Sequence, residues 1–191
     1  MITKNIMIVG VGGQGSLLAS KLLGHLLLAE GYDVKVSEVH GMSQRGGSVV
    51  TYVRFGEKVY SPVIDKGQAD FIVSFELLEA ARYIEYLKPE GHIVVNTQQI
   101  DPMPVITGAA EYPLFLIDKM REAGAEVDAM DCLALANEAG SSKAVNLVLM
   151  GRLSRHFDIA EEKWIQAIEE CVPEKFIALN KKAFALGRQE A

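Results

Sequence analysis

The sequence predicts an α/β fold. The expected form is a three-layer α/β/α arrangement on a mainly parallel, Rossmann-like sheet, with an antiparallel hairpin and a helical C-terminus. Three observations predict it. Before Cys132, apolar β-branched stretches alternate with stretches of helical periodicity. Near the start, Asn5-Ile6-Met7-Ile8-Val9 is followed by Gly10-Val11-Gly12-Gly13-Gln14-Gly15 and then by helical Ser16 to Leu23, a strand–glycine loop–helix sequence. From Cys132 onward the character is helical to the end.

In chain order, Asn5 to Val9 is short, apolar and β-branched, as a buried strand is. The first helix runs from Ser16 to about Glu30 and stops at Gly31. Asp33 to Val39 is the second strand, which completes a βαβ unit. Ser48 to Phe55 alternates and is a strand. Gly56-Glu57-Lys58 signals a turn, and Val59-Tyr60-Ser61 is expected to return as a short partner before Pro62. Ala69 to Phe75 is another buried strand. A helix is expected from Leu77 to Leu87, with Leu77, Leu78, Ala81, Ile84 and Leu87 on one face and Pro89-Glu90-Gly91 as its stop. His92 to Asn96 is the next strand. Thr97 to Tyr112 reads as a long connection that can hold a short edge strand at Val105-Ile106. Pro113 to Ala123 reads as a helix capped by Gly124, and Glu126 to Asp131 as a late strand. Helices follow at Ala144–Phe157, Ala160–Glu170 and Pro173–Leu186, with no internal repeat, low-complexity tract or linker.

The chain has 191 residues, of which 49% are hydrophobic, enough for one domain spanning 1–191 with a sizeable core. The net charge of −6, with no Lys/Arg block, argues against nucleic acid and anionic membrane as main partners. No apolar run approaches the ~20 residues of a membrane span. Met1-Ile2-Thr3-Lys4 runs straight into the first strand, so no signal peptide and a cytoplasmic location are expected. Cys132 and Cys171 are two only and far apart, which cannot supply a four-cysteine iron–sulfur or zinc site. His25, His92 and His156 have no metal-ligand spacing, so no metal site is expected.

The candidate site residues lie in two glycine-rich loops. Glycines Gly10, Gly12, Gly13 and Gly15 can take positive φ and admit close approach, and the helix start after them favours an anion. They can equally serve only a tight turn. Glu38, at the end of the second strand, is placed to bond a ribose if the fold binds a dinucleotide. His40-Gly41-Met42-Ser43-Gln44-Arg45-Gly46-Gly47 departs from a plain dinucleotide pattern. There Arg45 suits bidentate binding of phosphate or carboxylate, and His40 can titrate near neutral pH or donate a hydrogen bond. Alternatively Arg45 caps carbonyls or pairs with Glu38. Both loops are expected side by side at the carboxyl edge of the sheet, where open α/β sheets bind ligands. Glu76 follows a buried strand and either lines the same edge or is an early-turn helix acid.

These residues add up to a resemblance. Gly10 to Gly15, Glu38 to Val49 with its Gly-Met-Ser-Gln-Arg-Gly-Gly core, Val53-Arg54, Ser61-Pro62 and Ala69-Asp70 resemble the gamma domain of 2-oxoacid:ferredoxin oxidoreductases. Within that family the form is most similar to the small, beta subunit of the indolepyruvate ferredoxin oxidoreductases. The resemblance continues through Glu76-Leu77-Leu78-Glu79-Ala80, Tyr86 to Gly91, Asn146 to Gly151 and Val172 to Gly187, and so covers essentially the whole chain. It implies a subunit of an enzyme that oxidatively decarboxylates a 2-oxoacid on thiamine diphosphate. Coenzyme A is the acyl acceptor, and electrons leave through iron–sulfur clusters to ferredoxin. It further implies that this chain alone binds no cofactor: thiamine diphosphate and clusters belong to a large alpha subunit, without which the chain is inactive. In isolation it can pair into a homodimer. The rival readings are a free-standing NAD(P) enzyme and a non-catalytic assembly protein.

Overall fold

The computed structural model describes residues 3–40 and 46–189. The strands are β1 (Lys4–Val11), β2 (Asp33–His40), β3 (Ser48–Gly56), β4 (Ala69–Ser74), β5 (Leu87–Asn96) and β6 (Glu126–Met130). The helices are α1 (Ser16–Ala29), α2 (Leu77–Arg82), α3 (Met103–Ile106), α4 (Leu116–Glu122), α5 (Cys132–Ala139), α6 (Val145–Ser154), α7 (Glu161–Cys171) and α8 (Ile177–Arg188). They form the expected α/β fold around one mixed sheet of six strands, in the order β2-β3-β1-β4-β5-β6. β1, β4, β5 and β6 are mutually parallel, and β3 runs antiparallel to both of its neighbours.

The alternation of β1 sets the three layers. Ile6 and Ile8 face a core completed by α1, α5, α6, α7 and α8, including Trp164 and Phe184. Met7 and Val9 face the opposite core, closed by Leu77 and Ala80 of α2 and Leu116 and Met120 of α4. A strand buried on both faces reads as a continuous apolar run, as Ile6 to Val9 does. No helix among the described residues is long and apolar enough to cross a membrane.

The antiparallel component is differently placed from the expectation. Val59-Tyr60-Ser61 forms no strand; β3 instead lies between β1 and β2. The reason is local chemistry. Arg54 on β3 donates to Asn5 Oδ1 (2.8 Å), Ser61 O (2.9 Å) and Val63 O (2.8 Å). Carbonyls that a return strand would use in a ladder are thereby taken by a guanidinium, and Pro62 between them lacks a donor.

Three further expectations are corrected. The helix over 77–87 ends at Arg82, because Leu87 already belongs to β5 and pairs with Ala69. Val105-Ile106 is part of the one-turn helix α3 behind Pro102, not an edge strand. The helix expected from Pro113 begins at Leu116, because Phe115 adopts the left-handed region with φ 59°. For a bulky residue that conformation costs about 1–2 kcal/mol.

Candidate functional site

The first glycine loop leaves β1 at the carboxyl edge of the sheet. Gly10 has no room for a side chain: a Cβ would lie 2.9 Å from both Gln14 Oε1 and Phe75 Cβ. Gln14 folds back across the loop. Its Oε1 accepts from Val11 N (2.7 Å) and its Nε2 donates to Phe75 O (3.0 Å). Asn96 Nδ2, from the end of β5, donates to the same Phe75 carbonyl (3.1 Å), and Asn96 Oδ1 accepts from Cys132 N (3.1 Å) at the start of α5. The half-buried Gln14 and the buried Asn96 thus tie the loop to the ends of β4 and β5. Gly13 (φ 101°) and Gly15 (φ 91°) occupy the region that favours glycine. α1 begins at Gly15 without a side-chain cap, so its first amides are offered to the cleft. Asn146 Nδ2 reaches Gly15 O (3.4 Å) from α6.

The second loop joins the first as expected. Gly12 N donates to Gly47 O (2.8 Å) and Gly46 N approaches Gly12 O (3.5 Å). His40 closes β2 opposite Val49, while Gly41, Gln44 and Arg45 lie outside the described residues. Two clefts flank the Gly13–Gly15 turn. One, about 380 Å³, is lined by Gly12, Gly13, Gly15, Ser16, Leu17, Glu38 and Val49. The other, about 500 Å³, adds Gln14, Gln98, Ile100, Leu133 and Lys143 to the same glycines.

Glu38 shares the first cleft but stands one strand further out than a nucleotide fold requires. In such folds the acid-bearing strand lies beside the first. Here β3 intervenes, which sets β2 about 10 Å from β1. The strand order thus departs from the one the NAD(P) reading assumes.

Glu76 lines neither cleft. It is 1% exposed and caps α2: Oε2 accepts from Glu79 N (2.8 Å), and Oε1 accepts from Ile100 N (3.1 Å) and Tyr112 Oη (2.5 Å). Tyr112 Oη in turn accepts from Leu78 N (3.0 Å). Burial, and then the Glu76 carboxylate, push the Tyr112 phenol well above its ordinary value, so it stays a donor.

Sequence reasoning missed a second buried acid, Glu79. It accepts from Ser48 Oγ (2.5 Å), where the second loop re-enters the sheet, and lies 3.4 Å from Arg82. Burial raises its pKa above the usual 4.5, against the lowering effect of the Ser48 bond. The native state therefore holds this proton more firmly than the unfolded chain, and stability falls as pH climbs from about 4.5 through the raised value. Glu79→Gln is expected to flatten that part of the pH–stability curve without loss at pH 7, as followed by thermal melts between pH 4.5 and 7. An unchanged slope would remove Glu79 from the account. Asn96 and Asn146 were also missed. A polar residue directly after the apolar run Ile93 to Val95, or directly before the apolar run Leu147 to Met150, is the signal that marks them.

Both cysteines are buried and unpaired, Cys132 at the start of α5 and Cys171 at the end of α7. Burial raises both thiols above their ordinary value. Among the described residues no three His, Cys, Asp or Glu side chains come together as a metal site.

Comparison with known proteins agrees with this architecture. Residues 5–190 match the family model described as pyruvate ferredoxin/flavodoxin oxidoreductase. The chain is 47% identical to the indolepyruvate oxidoreductase subunit IorB of Thermococcus kodakarensis, over 98% of this chain and 95% of that one. It is 37% identical to the subunit of the same name from Archaeoglobus fulgidus, over 98% and 94%. In structure it is similar to pyruvate oxidoreductase subunit PORC of Thermotoga maritima (TM-score 0.76, 21% identity, 98% and 96% covered). It is also similar to part of the 2-oxoglutarate:ferredoxin oxidoreductase of Magnetococcus marinus (TM-score 0.75, 21% identity), covering 98% of this chain but 31% of that longer one. With nearly every residue inside the matched region and 47% identity along the chain to a curated subunit, this chain belongs to the pyruvate ferredoxin/flavodoxin oxidoreductase family.

Proposed function

We propose that this chain is the small subunit of a cytoplasmic indolepyruvate:ferredoxin oxidoreductase and that 1–191 is a single gamma-type domain. The assembled enzyme would convert a 2-oxoacid and coenzyme A to acyl-CoA and carbon dioxide, and pass the electron pair to ferredoxin. The observation that carries this reading is identity along nearly the whole chain to the IorB subunits of indolepyruvate oxidoreductases. The residues present fit neither an iron–sulfur cluster nor thiamine diphosphate. The two thiols sit buried on separate helices, and the sequence has no thiamine-type Gly-Asp-Gly and Asn-Asn pattern. In this reading those groups are carried by the partner, the large alpha subunit. Decarboxylation needs an electron sink, and one-electron transfer a cluster or flavin, that no side chain here supplies.

In this reading the glycine loops complete the partner's site. Gly10, Gly12, Gly13, Gln14 and Gly15 present a stiff backbone edge joined by Gly46 and Gly47, and by sequence His40, Gly41, Gln44 and Arg45 would supply a cation and polar groups. Glu76 acts at a distance from them, holding Ile100 and Tyr112 at the two ends of the 101–111 connection. The test is reconstitution. The isolated chain is expected to show no indolepyruvate oxidation with thiamine diphosphate, coenzyme A and a viologen acceptor. Addition to the cluster-loaded large subunit is expected to restore coenzyme A-dependent dye reduction. Robust activity of the small subunit alone, or no stimulation on mixing, overturns the assignment.

A further inference from the structure

Between β5 and α4 the chain leaves the body of the protein. No residue from 101 to 115 is buried. Exposed connections are ordinarily polar, yet this one carries Met103, Ile106, Leu114 and Phe115, each 64–72% exposed. Met103 and Ile106 lie three residues apart on α3 and so share a side of it.

The segment is nonetheless held in one shape. Ala109 N and Ala110 N both donate to Pro104 O (2.8 and 3.0 Å), and Thr107 Oγ1 donates to Met103 O (3.0 Å). At its two roots, Ile100 N and Tyr112 Oη bond the buried Glu76. Phe115 keeps its left-handed backbone although its ring meets solvent. Order without burial, with a strained backbone presenting an aromatic ring, is the construction of a preorganised contact. The arm also begins at the candidate site: Gln98 and Ile100 line the 500 Å³ cleft with Gly13 and Gly15. A body gripping the arm lies against that cleft.

Charge selects the occupant. The arm, residues 101–115, contains no Lys or Arg and carries Asp101 and Glu111. A second copy of this chain, itself at −6, would set acid against acid. The geometry points to the 101–115 arm as the docking element for the larger, cofactor-bearing subunit, received by an apolar trough rimmed with lysine or arginine. This rests on the function proposed above and names where that partner holds on.

The test compares binding of the larger subunit to the full chain and to the double variant Ile106→Asp, Phe115→Asn, by titration calorimetry. Asparagine tolerates the left-handed region better than phenylalanine, so the free variant is expected to melt no lower than the unmodified chain. Its affinity for the larger subunit is expected to fall about 100-fold, as for loss of central apolar anchors. Tyr60→Asp, at an exposed aromatic outside the arm, is expected to change affinity less than about twofold. Glu111→Lys is expected to slow association and weaken its salt dependence. Retention of affinity by the double variant, while the unmodified chain binds, overturns the docking role but leaves the function standing. Loss of self-association with unchanged subunit affinity assigns the arm to contacts between copies and also overturns it. If the unmodified chain does not bind the larger subunit at all, the proposed function falls, and the docking role with it.

Discussion

Replacing Gly151 with alanine is expected to destabilise the chain by about 3 kcal/mol, despite the better helix propensity of alanine. α6 and α8 cross with their backbones in contact. A Cβ at 151 would lie 2.1 Å from Phe184 O and 3.0 Å from Arg188 N, and one at 187 would lie 2.0 Å from Val148 O. Backbone cannot swing aside as a side chain can, so the helices must separate. That opens the packing of Phe184 on Trp164, whose ring centroids stand 5.8 Å apart. Gly24 supplies the control. It lies within α1, and its added Cβ would meet only Val36 Cγ2 at 3.6 Å, an ordinary contact. Gly24→Ala is therefore expected to stabilise by about 0.5–1 kcal/mol. Denaturant unfolding of the two variants decides it, and equal effects would show that the α6–α8 crossing is looser than described.

Glu76→Ala is expected to cost a further amount of similar size, about 3 kcal/mol. The substitution leaves Glu79 N, Ile100 N and Tyr112 Oη without their common acceptor. Tyr112→Phe removes one donor and leaves Leu78 N unpaired, for about 1–2 kcal/mol. Because both changes act on one network, their effects should fall short of additive in the double variant. Protease cleavage within 101–115 should rise in Glu76→Ala and remain slow in Tyr112→Phe. The raised Tyr112 value fixes the pH sense. Its stabilising contribution is full below about pH 10, the ordinary phenol value, and declines above it, because the unfolded chain ionises there first while the native phenol keeps its proton. Cleavage as slow as in the unmodified chain would show that Glu76 does not hold the arm.

The parts of the fold written in local periodicity were legible. Ile6 to Val9 announces a strand buried on both faces, and the glycines at 10, 12, 13 and 15 announce the turn and the helix after it. The neighbours of β3 were not legible, because pairing is decided between distant segments. Arg54 binds the Ser61 and Val63 carbonyls across a turn that looks like a hairpin. The 77–87 stretch has helical spacing to its end, yet Leu87 is drawn into the ladder with Ala69. At the site, the meeting of Gly12 with Gly46 and Gly47 was expected because both loops leave their strands at the carboxyl edge of the sheet. Glu76 did not: one acid after a strand looks the same whether it faces a ligand or braces backbone. Only the positions of Ile100 and Tyr112, more than 20 residues on, tell the two apart.

The inward side of α1 has a consequence for how this polypeptide comes off the ribosome. Leu22, Leu23, Leu26 and Leu27 are covered by a layer that includes Trp164 and Ile168 of α7 and Leu149 and Leu153 of α6. Those residues are made more than 120 positions later. β1, α1, β2 and β3 can pair early, since their contacts are close in sequence, but the nascent half then carries a naked leucine stripe for most of translation. The final third is thus the lid of the hydrophobic interior as well as its last-made part. A stalled or shortened chain that stops before α7 is an aggregation-prone species rather than a smaller working domain.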